Sequence, residues 1–369
     1  MKRLPEPLDL KKIKVLPLAR RQSLSTLKEI LVDPQSAPPP CGGELAASLE
    51  ACAKKITAAR EHEAAVILMY GAHLIKNGAL CIVNELVNAG WVTHLATNGA
   101  GTIHDWELAF CGRTAESVRD NVATGSFGTW DETGRNIHLA LLAGAVHGEG
   151  YGLSLGRFIE EEGVTLPETA ALEKEIRDAP SHPLSPARAE LLRAMVAHKL
   201  PAGLIKVRHP HRKTSPLANA FRQGVPFTVH PGIGYDIIAA HPMFRGAVIG
   251  RAADIDFRLI GSSIDRLDGG LVLSVGSAIM APQVFEKSLS CVNNLRLQAG
   301  REIVGGHVIY VVDLQDGGNW DWSKGEPPRD NPAYYLRFCK SFSRMGGGMQ
   351  YVQCDNVAFL HNLLHRLNA

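Results

Sequence analysis

The sequence lacks the features that mark membrane, secreted and nucleic-acid-binding proteins. It has no run of about 18 apolar residues, so we expect no membrane-spanning helix. Its basic N-terminal residues are not followed by the apolar stretch of a secretory signal. Lys and Arg number 39 against 37 Asp and Glu, a formal charge of +2, which excludes the strong basic excess of a dedicated nucleic-acid binder. We therefore expect neither a nucleic acid nor a membrane as partner.

Motifs for metal and nucleoside-triphosphate chemistry are also missing. The seven cysteines are scattered without a CxxC pair, which argues against a zinc site or a disulfide framework and favours a reducing, cytoplasmic location. None of the 15 histidines has HExxH spacing, so we expect no metal. There is no GxxxxGK[ST] loop. The basic segment 206–213 is interpreted as a solvated loop.

Short apolar runs alternate with helical patterns along most of the chain. Such alternation predicts βαβ units and an α/β fold: a doubly wound, mostly parallel sheet with helices on both faces, Rossmann-like. We interpret residues 1–42 as an N-terminal surface arm and 43–369 as one α/β domain with a helical insertion at about 160–222. The predicted strands are 64–70, 91–97, 225–230, 269–275 and 307–314, and the main predicted helices are 43–61, 253–266, 281–299, 331–343 and 355–367.

Turns of small residues follow four of these strands. They begin at Gly71, Asn98, Pro231 and Gly276. In a doubly wound sheet, ligands bind beyond the carboxyl ends of the strands, where glycines let backbone N–H groups approach phosphates. None of the four turns is a GxGxxG fingerprint, so glycines that merely form tight turns remain the alternative. Together the turns predict a dinucleotide site.

Several segments resemble the deoxyhypusine synthase family. They are AHLIKNG (72–78), ATNGAGTIHD (96–105), VPFTVHPGIGYDI (225–237), GGLVLSVGSA (269–278), HVIYVVDLQD (307–316) and VQCDNVAFLHNLL (352–364). Their order and spacing agree with that family from about residue 43 to the C-terminus. The resemblance implies the same fold, with NAD bound at a subunit interface of a homotetramer (a dimer of dimers).

The resemblance also implies site residues. Carboxylates and aromatic faces would hold spermidine or a related polyamine, because a polyamine is a chain of ammonium groups. The carboxylates carried over are Asp105, Asp236 and Asp321, with Asp316 a further candidate, near Trp320 and Trp322. The NAD-binding residues carried over are Ala72, His73, Asn98, Gly99, Ala100, Gly101, Gly276, Ser277, Asp313, Leu314 and Asp355.

A lysine would form the imine that carries the aminobutyl group. Lys340 occupies the matching place in the resemblance, and Lys324 is its rival. The alternative is that Lys340 is an ordinary solvated helix residue. The family's lysine–histidine pair after its triple glycine has no counterpart in residues 275–282, so His73 or His104 would have to supply a base.

The leading expectation is an NAD-dependent transferase that moves an aminobutyl group from spermidine or a related polyamine through a lysine imine. Two alternatives stay open. One is a non-catalytic oligomer of the same fold that binds NAD or another nucleotide. The other is an NAD-dependent amine dehydrogenase without group transfer. Turnover of an amine would distinguish either enzyme from the non-catalytic oligomer. Trapping of a lysine imine would distinguish the transferase from the dehydrogenase.

Overall fold

The computed structural model describes residues 4–369. Its strands are β1 (Ser25–Thr26), β2 (Val66–Tyr70), β3 (His94–Asn98), β4 (Arg113–Thr114), β5 (Gly163–Leu166), β6 (Gly203–Lys206), β7 (Phe227–His230), β8 (Leu271–Val275), β9 (Val308–Asp313) and β10 (Gly348–Gln353). Its helices are α1 (Leu27–Ile30), α2 (Gly43–Glu61), α3 (Ala72–Lys76), α4 (Leu80–Asn88), α5 (Gly99–Cys111), α6 (Val118–Ala123), α7 (Asp131–Ala145), α8 (Tyr151–Glu160), α9 (Thr169–Asp178), α10 (Ser185–His198), α11 (Pro216–Gln223), α12 (Gly246–Ile264), α13 (Met280–Gln298), α14 (Arg337–Phe342) and α15 (Asn356–Leu367).

The central sheet has six parallel strands in the order β7-β3-β2-β8-β9-β10. Numbered by their sequence among themselves, these strands read 3-2-1-4-5-6, which is the strand order of dinucleotide-binding Rossmann folds. The predicted α/β, doubly wound fold is therefore confirmed. The chain reverses its direction of winding between β2 and β8, and we call this position the crossing point.

Both faces of the sheet are covered by helices, as the apolar runs of the inner strands require. All five residues of β2 and all five of β8 are buried. Side chains alternate across the sheet, so that Val66 and Leu68 belong to one apolar cluster, with α2, α4 and α15, whereas Ile67 and Met69 belong to a second, with α12, α13 and α14.

The five predicted strands correspond to β2, β3, β7, β8 and β9, and the sequence missed β10. That strand lies at the sheet edge, and Val352 is its one buried residue. Its strand signal is weak because it begins directly after the glycines 346–347 and carries two glutamines, Gln350 and Gln353. A polar edge strand of this kind lacks the apolar run that marks an inner strand.

The N-terminal segment and the middle of the chain add to this body. Leu16 forms a bridge with Trp130, and the N–H of Leu18 donates to Glu132 at the start of α7. Residues 163–206 contain α9 and α10 between β5 and β6, which pair with each other antiparallel. The domain boundaries, including the arm at residues 1–42 and the insertion at about 160–222, stay predictions.

In the part of the chain that the structure describes, no helix is long and apolar enough to cross a membrane. All seven cysteines are free.

Candidate functional site

The turns after β2 and β8 meet at the crossing point. A Cβ on Gly71 would overlap the carbonyl oxygen of Gly276, so the two backbones touch there. Gly276 has a φ of +58°, and a Cβ on it would overlap the side-chain amide of Asn356. The Oδ1 atom of Asn356 is buried without a hydrogen-bond partner among residues 4–369. The crossing point thus combines close backbone approach with an unused buried acceptor, and such a group needs a partner to offset its desolvation.

The turn after β3 is built around a carboxylate. Asn98 caps α5, its side chain accepting from the N–H of Gly101 at 2.9 Å. A Cβ on Gly99 would overlap the carboxylate of Asp236, which comes from the loop after β7. A negative charge at a helix N-terminus is stabilised by the helix dipole. The side chain of Asp236, rather than a free volume for a phosphate, therefore lies against the first residue of α5.

Asp236 lines a cavity of about 280 Å³ on this side of the sheet. The volume is close to the lower end of the range of ligand pockets, about 300–1,000 Å³. Part of the lining is apolar and includes Ala100, and Tyr235 also lines the cavity. Its charged or titratable residues are Arg21, Lys76, His104, Glu107, Glu116 and Asp236. We call it the Asp236 cavity.

The carboxylate of Asp236 is desolvated but still ionised at neutral pH. Asp236 is only 6% exposed, and its Oδ2 accepts from the N–H of Gly232 at 2.8 Å. Burial raises the pKa of Asp236 to about 6, against the opposing effect of that hydrogen bond. Above pH 6 the cavity therefore holds a buried negative charge.

Carboxylates outnumber cations around the Asp236 cavity. Arg21 and Glu107 neutralise each other in a buried, bidentate ion pair, with N–O distances of 2.6 and 2.9 Å. Glu116 accepts from the N–H of Gly128. Lys76 is the remaining cation, so Glu116 and Asp236 leave one net negative charge. This balance favours a positively charged ligand.

Several predicted site residues make hydrogen bonds that stabilise helix starts. Asp105 is fully buried and accepts from the N–H of Leu217 in the first turn of α11, and burial raises its pKa to about 7. Asp355 caps α15 by accepting from the N–H groups of its first turn. Ser277 accepts from the N–H of Ala281 in α13. Asp313, by contrast, accepts from the N–H of Gln315 in the loop after β9. Their predicted ligand roles stay predictions.

The remaining predicted NAD contacts lie at the carboxyl ends of the strands. Ala72 and His73 form the first turn of α3 after β2, and His73 is exposed. Gly101 packs against Thr97, whose Oγ1 a Cβ on the glycine would overlap. Leu314 is 64% exposed after β9. The predicted residues thus share one edge of the sheet, and of them Ala100 and Asp236 line the Asp236 cavity.

Asp321 lies on the opposite side of that edge. It is exposed, and it caps a short 3-10 helix by accepting from the N–H and Oγ of Ser323. A second cavity, of about 590 Å³, is lined by Asp321, Trp320, Tyr351 and the start of α2. Trp322 is buried in the core instead.

Lys340 is held by neighbours in its own segment. Its Nζ lies 3.4 Å from the centroid of the Tyr334 ring and 3.7 Å from Glu326, which also pairs with Arg344. Both contacts stabilise an ammonium charge. Lys340 lines neither of the two cavities, and its rival Lys324 is an exposed residue 3.9 Å from Asp321.

Sequence reasoning missed Arg21, Lys76, Glu107 and Glu116. Glu107 carries a usable signal, because a carboxylate between Trp106 and Leu108 in an apolar helix needs a buried partner. Its partner Arg21 lies 86 residues away, and no local pattern connects them. Among residues 4–369, no group of three or more His, Cys, Asp and Glu side chains is placed to hold a metal.

Comparison with known proteins finds no matching family and no matching curated protein. Among solved structures, the chain is similar to AgrE in complex with ornithine and NAD+, at 13% identity and a TM-score of 0.42, over 89% of this chain and 34% of AgrE. It thus spans about a third of AgrE. A conserved protein of Methanococcus maripaludis S2, assigned provisionally as an LOR/SDH protein, has 13% identity and a TM-score of 0.42, over 96% of this chain and 76% of its own.

A protein of Entamoeba histolytica, assigned provisionally as a deoxyhypusine synthase, has 12% identity and a TM-score of 0.37, over 88% of both chains. Likeness at this level does not assign an activity.

Proposed function

We propose that this protein is an NAD-dependent enzyme that acts on an amine. In this proposal the dinucleotide binds at the crossing point, and the ammonium group of the substrate binds in the Asp236 cavity. The observation that carries it is the buried carboxylate of Asp236 at the carboxyl edge of a sheet with the 3-2-1-4-5-6 strand order. This edge is where doubly wound sheets bind their ligands.

The residues at the crossing point are suited to a dinucleotide. Gly71 and Gly276 let the turns after β2 and β8 pack backbone against backbone, and Ser277 begins the turn into the 19-residue helix α13, whose N-terminus would face the pyrophosphate. The turn at Gly99 is less suited to a phosphate, because the carboxylate of Asp236 already lies there and would repel it.

The protein's own part in the reaction is to hold and select the amine. Bound NAD would supply the acceptor for a hydride from the carbon next to the amine nitrogen. Asp236 would pair with the ammonium group, and the one excess negative charge of the cavity would disfavour carboxylates and phosphates. The small volume admits an amine end rather than a whole dinucleotide.

The finer proposal is transfer of an aminobutyl group from spermidine through an imine on Lys340, and it is supported by the resemblance described above. Nζ of Lys340 would attack the oxidised carbon and release the remaining diamine. This requires Nζ to leave the Tyr334 ring and Glu326.

The test is incubation with NAD and spermidine, followed by NADH absorbance and borohydride trapping with peptide mass spectrometry. The transferase predicts NADH formation and a trapped adduct on Lys340 that disappears in Lys340→Arg. NADH without an adduct supports an amine dehydrogenase. Binding of NAD without turnover of any amine supports the non-catalytic alternative, and failure to bind NAD contradicts the proposal.

Asp236→Asn separates the two parts of the site. It should raise KM for the amine while Kd for NAD stays unchanged, because Asp236 lies in the cavity and not at the crossing point. The matched control is Asp254→Asn, which changes an exposed carboxylate on α12 that pairs with Arg258. A rise in Kd for NAD in Asp236→Asn alone would contradict the separate placement of amine and dinucleotide.

A further inference from the structure

A chain of buried hydrogen bonds connects the N-terminal segment to His104. Arg21 donates to both carboxylate oxygens of Glu107. Glu107 also accepts from the hydroxyls of Thr114, at 2.7 Å, and Thr133, at 2.9 Å. The Oγ1 of Thr114 lies 2.7 Å from Nδ1 of His104, which lines the Asp236 cavity.

This chain determines which nitrogen of His104 carries the proton. Glu107 is paired with a guanidinium, so its carboxylate only accepts hydrogen bonds. Thr114 has a single hydroxyl proton and donates it to Glu107. Thr114 must therefore accept from His104, which places the ring proton on Nδ1 and leaves a lone pair on Nε2.

The surroundings also keep the ring neutral. Burial lowers the pKa of His104 to about 4, and the positive charges of Lys76 and Arg21 act in the same direction. His73 also lowers this pKa, whereas Glu107 raises it. Nε2 makes no hydrogen bond with residues 4–369 and is not among their fully buried unpartnered atoms. A neutral acceptor is thus available on the wall of the cavity.

We propose that Nε2 of His104 accepts a hydrogen bond from the N–H of the ligand's ammonium group, and that Thr114 is the positioning residue that sets the ring tautomer. The inference rests on the proposed function in taking the ligand to be an amine. Asp236 and His104 then present two acceptors and no donor to the ligand head. An ammonium group satisfies both, whereas a carboxylate satisfies neither.

Thr114 and Thr133 form a matched pair for the test. Both hydroxyls are buried and both donate to Glu107, but Thr114 alone contacts His104. Thr114→Val and Thr133→Val each remove one hydrogen bond to Glu107. Thr133→Val therefore controls for the lost bond to Glu107, and denaturant unfolding should show a larger loss of stability in Thr114→Val, which also loses the bond with His104.

The readouts are ring-nitrogen NMR shifts of His104 and the Kd of putrescine, with acetate as the anionic control. In the unaltered protein we expect protonated Nδ1, unprotonated Nε2 and a shift of Nε2 on addition of putrescine but not of acetate. Thr114→Val should populate the other tautomer and weaken putrescine binding roughly tenfold, the effect of one hydrogen bond to a charged group. Thr133→Val should retain the tautomer and the affinity.

Protonated Nε2 in the unaltered protein, or no response of Nε2 to putrescine, overturns the inference, and neither measurement requires a variant to fold. Equal putrescine affinity in the two valine variants overturns the role of Thr114. Binding of putrescine at His104 without NADH formation leaves the inference standing and contradicts the proposed function. NADH formation in a protein whose His104 is protonated on Nε2 supports the proposed function and overturns the inference.

Discussion

The two sides of the sheet's carboxyl edge differ in how far their carboxylates are buried. On the β3 side, which comprises the loops after β2, β3 and β7, the carboxylates of Asp236 and Glu107 are buried and hydrogen-bonded. On the β9 side, which comprises the loops after β8, β9 and β10, Asp321 and Asp355 are exposed and cap helices. Of these four carboxylates, the two desolvated ones thus lie on the β3 side.

The pKa values follow this division. Burial raises the pKa of Asp236 to about 6, whereas hydrogen bonds from Ser323 lower the pKa of Asp321. A buried charge gains much from an opposite charge on a ligand, because water does not screen the pair. An exposed charge gains little. Selection among ligands by charge is therefore expected on the β3 side, and the β9 side is left to dinucleotide or solvent contacts.

The largest effect should come from breaking the ion pair of the β3 side. Arg21→Met leaves Glu107 charged, buried and without its cation, so we expect a loss of about 3–5 kcal/mol in the free energy of unfolding. Denaturant unfolding measures it. Arg20→Met, at an exposed neighbouring position, should change stability by less than about 0.5 kcal/mol. Equal stability of the two variants would contradict the burial of charge on this side.

Gly99→Ala should have the next largest effect. Its Cβ would overlap the carboxylate of Asp236, so the loop after β7 must shift at a cost of about 1–3 kcal/mol. Putrescine binding should weaken with it, measured by calorimetry. The control is Gly250→Ala on α12, where a Cβ meets no atom within 4 Å and helix propensity favours alanine by about 1 kcal/mol. If Gly99→Ala binds putrescine as tightly as the unaltered protein does, Asp236 does not bind the amine.

The sequence predicts the inner strands well and the cavity only in part. Buried runs such as 66–70 have a local apolar signal, and Asp236 and His104 follow predicted strands, which places them at the carboxyl edge. The pairing of Arg21 with Glu107 could not be predicted, because it joins segments with no shared pattern. The hydrogen bond from the N–H of Leu217 to Asp105 could not be predicted either, because the two residues are 112 positions apart, and the predicted ligand role of Asp105 stays a prediction.

The pH dependence of putrescine affinity should show whether the carboxylate that binds the amine is buried, as on the β3 side, or exposed, as on the β9 side. Asp236 titrates near pH 6 and binds an ammonium only when ionised, so putrescine affinity should fall about tenfold per pH unit below 6 and level off above it. His104 stays neutral down to about pH 4 and does not affect this limb. In Asp236→Asn the profile should be weak and flat. A midpoint near pH 4 in the unaltered protein would indicate an exposed carboxylate instead.

The smallest effect is expected on the β9 side. Asp321→Asn changes an exposed residue whose hydrogen bonds to Ser323 an amide oxygen can still accept, so stability should change by less than about 0.5 kcal/mol. Putrescine affinity should also stay the same, because exposed charges contribute little to ion pairs. Asp236→Asn, measured beside it, should lose that affinity. If Asp321→Asn loses putrescine affinity instead, the ammonium group binds in the 590 Å³ cavity beside Trp320. The amine is then not selected by a buried carboxylate.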